Sequence, residues 1–149
     1  MIYIRKFKTS DFNEFVPLEP LPNDEIYDPE FAQAIEDSEL AVTGVRDGKV
    51  VGCGGVHPID KDNGEMWLRL SEDCLNYKID TLRWVRDGFE IIEKTYPFKQ
   101  LSASVRCCFD QSIKLVEYLG FVKTEMRMHK GRPWFIYSKR IERDKLCLP

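Results

Sequence analysis

The stretch "LVEYLGF", residues 115–121, joins the end of a helix to the start of a strand. Leu115, Val116 and Leu119 recur at three- and four-residue intervals, the spacing of one helical face. Gly120 supplies a stop at the position where helices favour a left-handed residue, and Phe121 opens an extended run. Working outward, Phe109 to Leu119 reads as the helix. Phe121 to His129 and Trp134 to Arg140 read as a closing hairpin around Lys130-Gly131, with Pro133 at the start or edge of its strand.

Toward the N-terminus, "LSASV" (Leu101 to Val105) has the compactness of a buried strand. Ile79, Leu82, Val85, Phe89, Ile92 and Tyr96 trace a long amphipathic helix that ends before Pro97. Trp84 lies off that stripe, which suits an interface, a place under a loop, or the edge of the core. Glu65 to Leu70 is a further strand. Leu40 to Arg46 and Lys49 to Val56 form a hairpin around Asp47-Gly48, and the three glycines of "KVVGCGGVHPI" imply a bulge or a closely approached backbone. Pro29 to Glu36 reads as a short helix, and Val16 to Pro29 as an irregular connection holding four prolines. Thr9, Ser10 and Asp11 offer caps for a helix after the first strand, Met1 to Lys8. The expected order is β-α-α-β-β-β-α-β-α-β-β, an α/β or α+β single domain over residues 1–149 with a mixed sheet and helices on both faces.

With 149 residues the chain is the size of one ordinary domain, and its 43% hydrophobic content fits a globular protein without a membrane span. Met1 to Lys8 has no apolar signal-like region, so a cytoplasmic location is expected. Five cysteines without a paired spacing suggest reduced, mostly buried thiols. With only His57 and His129 to add, no metal-ligand pattern arises. The formal charge of −3, from 22 Lys and Arg against 25 Asp and Glu, argues against charge-driven nucleic-acid binding. The basic run from Lys123 to Arg143 reads as a solvated strand face.

The element order, with "IRKFKTSDFNEF" near the start and "SIKLVEYLGF" near the end, resembles the GNAT superfamily of acyl-CoA-dependent N-acetyltransferases over nearly the whole chain. The texture, including the tryptophan-bearing "EMWLRLSED", is also similar to small acetyltransferase-like proteins of tailed phages, the internal virion protein A group among them. The resemblance implies a mostly antiparallel sheet with splayed central strands. It further implies acetyl-CoA as co-substrate, no metal, and an amine-bearing small molecule or protein as acceptor. A homodimer or protein partner is open. Pantetheine would pair with the backbone of Trp67, Leu68, Arg69 and Leu70. The pyrophosphate would lie on the loop from Ser71 to Lys78, with Ser71, Asn76 and Lys78 in contact, at the start of the long helix. Ser104, on the partner strand, would face the ligand, although a small residue on a buried strand explains it as well. Glu65 or His57 would take the amine proton. Each also has a plain reading, Glu65 as a solvated strand-end carboxylate and His57 as a turn residue before Pro58.

Two departures stand out. The family's phosphate loop usually carries glycines, whereas "SEDCLNYKID" has none and brings Glu72, Asp73 and Asp80. The family's tyrosine acid, four positions before the glycine, is here Val116. Tyr118 lies about 200° around the helix from it, and Phe109 opens the helix where an asparagine is usual. These departures suit a second function, a GNAT fold retained as a binding or virion-assembly protein. The connection "VPLEPLPNDEIYDP" carries Glu19, Asp24, Glu25 and Asp28, an acidic rim suited to a cationic acceptor or to an ordinary soluble loop.

Overall fold

The computed structural model describes residues 1–19 and 29–141. The strands are β1 (Tyr3–Lys6), β2 (Ala41–Arg46), β3 (Lys49–Pro58), β4 (Asn63–Leu70), β5 (Gln100–Arg106), β6 (Val122–His129) and β7 (Arg132–Arg140). The helices are α1 (Pro29–Ser38), α2 (Lys78–Thr95) and α3 (Asp110–Tyr118). The strands hydrogen-bond in the order β1-β2-β3-β4-β5-β7-β6. β4 and β5 run parallel, while β1–β2, β2–β3, β5–β7 and β6–β7 are antiparallel. The fold is therefore a mixed, mostly antiparallel α/β sheet in the expected element order. The residues pack as two compact units, Met1–His57 with Trp67–Ile92, and Pro58–Met66 with the chain from Glu93 onward.

In the first unit the expected helix after β1 is instead a five-residue 3-10 turn, Thr9–Asn13, whose cap position is Lys8. The reason is Asp11. Its side chain turns inward, accepts from the Lys8 N–H at 2.9 Å and from Thr43 Oγ1 at 2.7 Å, and takes both terminal nitrogens of Arg5. One face of this unit's sheet buries Phe7, Ile35, Ala41, Cys53 and Trp67, with Phe12, Phe15 and Phe31 packed on them. Phe7 meets Phe12 and Trp67 edge-on, with centroids 5.2 and 5.7 Å apart, a favourable aromatic geometry.

The opposite face belongs to Trp84, which is 2% exposed. This corrects the expectation of an edge or interface position. A Cβ on Gly44 would lie 2.8 Å from the Trp84 ring, and one on Gly52 would lie 3.1 Å from it. The glycines of β2 and β3 thus form a trough for the indole. Gly44→Ala forces the ring aside and should cost about 2 kcal/mol, as overpacked cores do. Chemical denaturation of the variant checks this, and an unchanged midpoint would show that the trough has slack.

In the second unit Leu101, Ala103 and Val105 point into the core while Ser102, Ser104 and Arg106 point away, the alternation of a strand. α3 ends as the sequence suggests. Gly120 has φ +93°, its N–H donates to Glu117 O, and the Phe121 N–H donates to Val116 O, a Schellman cap. Leu115, Val116, Phe121 and Tyr137 are buried.

Candidate functional site

The ladder between β4 and β5 ends at Met66 opposite Ala103, yet β4 continues for four residues to Leu70. The Ser71 N–H donates to Val51 O at 2.8 Å. By strand alternation, the backbone groups of Trp67 and Arg69 also turn toward β3, and those of Leu68 and Leu70 turn the other way. Of the four residues Trp67 to Leu70, only Leu68 and Leu70 turn their backbone groups away from β3. On that outer edge the Leu70 carbonyl already accepts from the Leu18 N–H at 2.8 Å. The Glu72 N–H donates to Val16 O at 2.9 Å, and Pro17 bridges Ser71, so Val16 to Leu18 lies along the end of β4.

Ser71 is 2% exposed and caps a 3-10 turn, Glu72–Asn76, its Oγ accepting from the Asp73 N–H at 3.1 Å. That contact uses the hydroxyl inside the turn. Cys74 is buried beneath, with its sulfur 3.2 Å from Val51 O, and burial pushes its thiol up. Glu72, Asp73 and Asn76 are exposed. α2 then begins at Lys78, and the Thr81 N–H to Tyr77 O bond, 2.8 Å, closes its first turn. The N–H groups of Lys78, Ile79 and Asp80 fall at the helix end that has no intrahelical acceptors. Lys78 is exposed, and Asp80 lies 3.9 Å from the amino group of Met1. The Arg46 guanidinium sits 3.5 Å above the Tyr77 ring, adding a cation beside this turn.

The other expected residues fall as follows. Glu65 is exposed on the part of β4 that pairs with β5, in register with Ser102. His57 is exposed at the end of β3, its ring 5.4 Å from that of Phe31. Ser104 is exposed on β5 opposite Ile136, and the Trp67 side chain is committed to the aromatic core. Val116 is buried and Tyr118 is 53% exposed. Cys53 and Cys74 are buried, Cys107 is half-buried and Cys108 exposed. Asp24, Glu25 and Asp28 lie outside the described residues. Sequence reasoning missed Arg46, Tyr77 and Leu18, whose roles depend on contacts between distant segments. Among the described residues no group of three His, Cys, Asp or Glu could hold a metal, and no helix is long and apolar enough to cross a membrane.

No family model matches the chain, and no curated protein does. Solved structures do. Ard1 from Thermoplasma volcanium matches with a TM-score of 0.76 at 14% identity, over 95% of this chain and 99% of that one. The fold is that of the GNAT acetyltransferases. The ribosomal-protein-S5-alanine acetyltransferase of Vibrio fischeri matches with 0.69 at 18% identity, over 93% and 92%. A GNAT family acetyltransferase from Elizabethkingia anophelis, solved with acetyl-CoA bound, matches with 0.61 at 16% identity, over 94% and 98%. At such identities the likeness is one of GNAT fold.

Proposed function

We propose that the chain is a single GNAT-like acyltransferase domain that transfers acetyl from acetyl-CoA to an amine by direct attack. The observation that carries this reading is the outer edge of β4 beyond Met66, leading through one turn into the N-terminus of α2. The Leu68 N–H and C=O and the Leu70 N–H suit an amide-bearing pantetheine arm. The backbone N–H groups of Lys78 to Asp80 and the Lys78 ammonium suit a pyrophosphate. The thioester supplies an activated acyl group. The acceptor nitrogen attacks its carbonyl carbon, the C–S bond breaks, and Glu65 or His57 takes the amine proton, directly or through water. With Val116 in place of a hydroxyl acid, water or another side chain protonates the departing thiolate. The acidic composition of the connection after Val16 would favour a cationic amine.

A second reading, a GNAT fold kept as a binding or virion-assembly protein, is favoured by the carboxylates of Glu72 and Asp73 at the phosphate turn and by Val116. Calorimetry with acetyl-CoA separates the two. The transferase reading expects micromolar affinity, weakened about tenfold by Lys78→Glu, the scale of losing a charge-assisted contact. Heat absent at millimolar acetyl-CoA would reject it in favour of the binding protein.

A further inference from the structure

Strand β6 ends the sheet order, and all eight of its residues, "VKTEMRMH", are exposed. An edge strand presents a row of unpaired backbone groups and is a template for another strand. Which groups face outward follows from the hairpin. Lys130 and Gly131 have φ of +51° and +74°, the signature of a two-residue I′ turn, so His129 and Arg132 form its hydrogen-bonded closing pair. Two residues further, Arg127 and Trp134 do the same. The N–H and C=O groups of Met126 and Met128 therefore point away from β7.

The side chains choose a register for a second strand. Glu125 and Arg127 lie on one face, 2.6 Å apart at Oε1 and Nη2, while Met126 and Met128 lie on the other, 61% and 64% exposed. A two-fold axis through Met126 sets Glu125 opposite Arg127 of the other copy, twice, and brings the two Met126 side chains together. A two-fold axis through Arg127 would set arginine against arginine. The favourable axis also falls on a residue whose backbone groups point outward, so the two Met126 residues can exchange N–H to C=O bonds. Backbone direction excludes an axis through Arg127 and allows one through Met126 or Met128. An axis through Met128 would set Arg127 opposite His129 of the other copy, so the charge pattern selects Met126. The bulge at Thr124, marked by the register shift between Lys123 and Glu125, limits the pairing to the stretch around Met126.

We propose that β6 is a self-complementary edge through which two copies of this chain pair antiparallel, centred on Met126. So short a seam buries less than a standard interface, and the dimer is concentration-dependent.

Sedimentation velocity over a concentration series tests this, with Met126→Pro, Glu125→Arg and the swap Glu125→Arg/Arg127→Glu. Proline at residue 126 removes an outward N–H and leaves the β7 ladder intact, and circular dichroism verifies the fold. The expected result is a monomer–dimer equilibrium weakened about tenfold or more by Met126→Pro and by Glu125→Arg, and restored by the swap, which recreates opposite charges across the axis. A wild-type monomer at all concentrations overturns the proposal, as does a dimer indifferent to both single variants or a swap that fails to restore pairing. Should Met126→Pro unfold, the charge series decides alone.

Discussion

Trp84→Ala should lower the unfolding free energy by about 4 kcal/mol, within the range for buried aromatic truncations. For a chain of this size the melting temperature then falls by roughly 10 °C. The large effect follows from what surrounds the ring. Gly44 and Gly52 have no side chains to move into the space, so the trough stays empty. The indole nitrogen of Trp84 is buried without a hydrogen-bond partner among the described residues. Trp84→Phe therefore removes bulk together with an unsatisfied donor and should cost clearly less than Trp84→Ala. The shorter ring also leaves room above Gly44. Combining Trp84→Phe with Gly44→Ala should give a smaller loss than the two single losses added, and a double-mutant cycle by urea denaturation measures that coupling. Additive losses would mean that the ring and Gly44 do not press on each other.

Asp11→Ala is expected to cost about 3 kcal/mol, the lower part of the range for breaking a buried ion pair, because Arg5 keeps some contact with water. Asp11 is 1% exposed, and Thr43, whose hydroxyl donates to its carboxylate, is 0% exposed. Removing the acceptor strands that hydroxyl and releases the Lys8 N–H that fixes the turn after β1. The effect depends on pH. Burial alone would raise the Asp11 pKa, but hydrogen bonds from Arg5, Thr43 and Lys8 outweigh it and hold the group below the ordinary carboxylate value. A carboxyl more acidic in the folded than in the unfolded chain stabilises above the unfolded value, near 4. That contribution is lost as pH falls through the lower folded value. Denaturant midpoints of wild type and Asp11→Asn, compared from pH 7 to pH 2, should converge below about pH 4. A constant gap would show that Asp11 acts only through its shape.

Most of the element order was legible because it rests on periodicity and turn chemistry. Asp47-Gly48, Lys130-Gly131 and Gly120 each occupy left-handed backbone where the sequence calls for it. The face of α2 was less legible. The apolar residues suggested a stripe beginning at Ile79, but Ile79 is 69% exposed and the buried face is Thr81, Trp84, Val85, Gly88, Phe89 and Ile92. That face keeps helical spacing, yet Thr81 and Gly88 do not register as apolar. Gly88 is buried because Val42 occupies the space beside it, and Trp84 because the strands opposite are glycine. Such complementarity belongs to two segments at once and leaves no local pattern. The turn after β4 was legible in composition, with its carboxylates and no glycine. The capping by Ser71 and the Arg46–Tyr77 stack were not, since each requires the folded neighbourhood.

The bond between Leu18 and Leu70 makes one atom answer to two masters. The Leu70 carbonyl ends the strand proposed to hold pantetheine, and it also tethers the segment that leads toward the proposed acceptor rim. Any group that competes for this oxygen loosens the tether, and any acceptor that tightens the tether reduces what the oxygen can offer. Reciprocity then requires each ligand to alter the affinity for the other by the same factor. Because that coupling is the same whichever ligand binds first, the one backbone carbonyl would set how strongly the two respond to each other and would impose no order on their arrival.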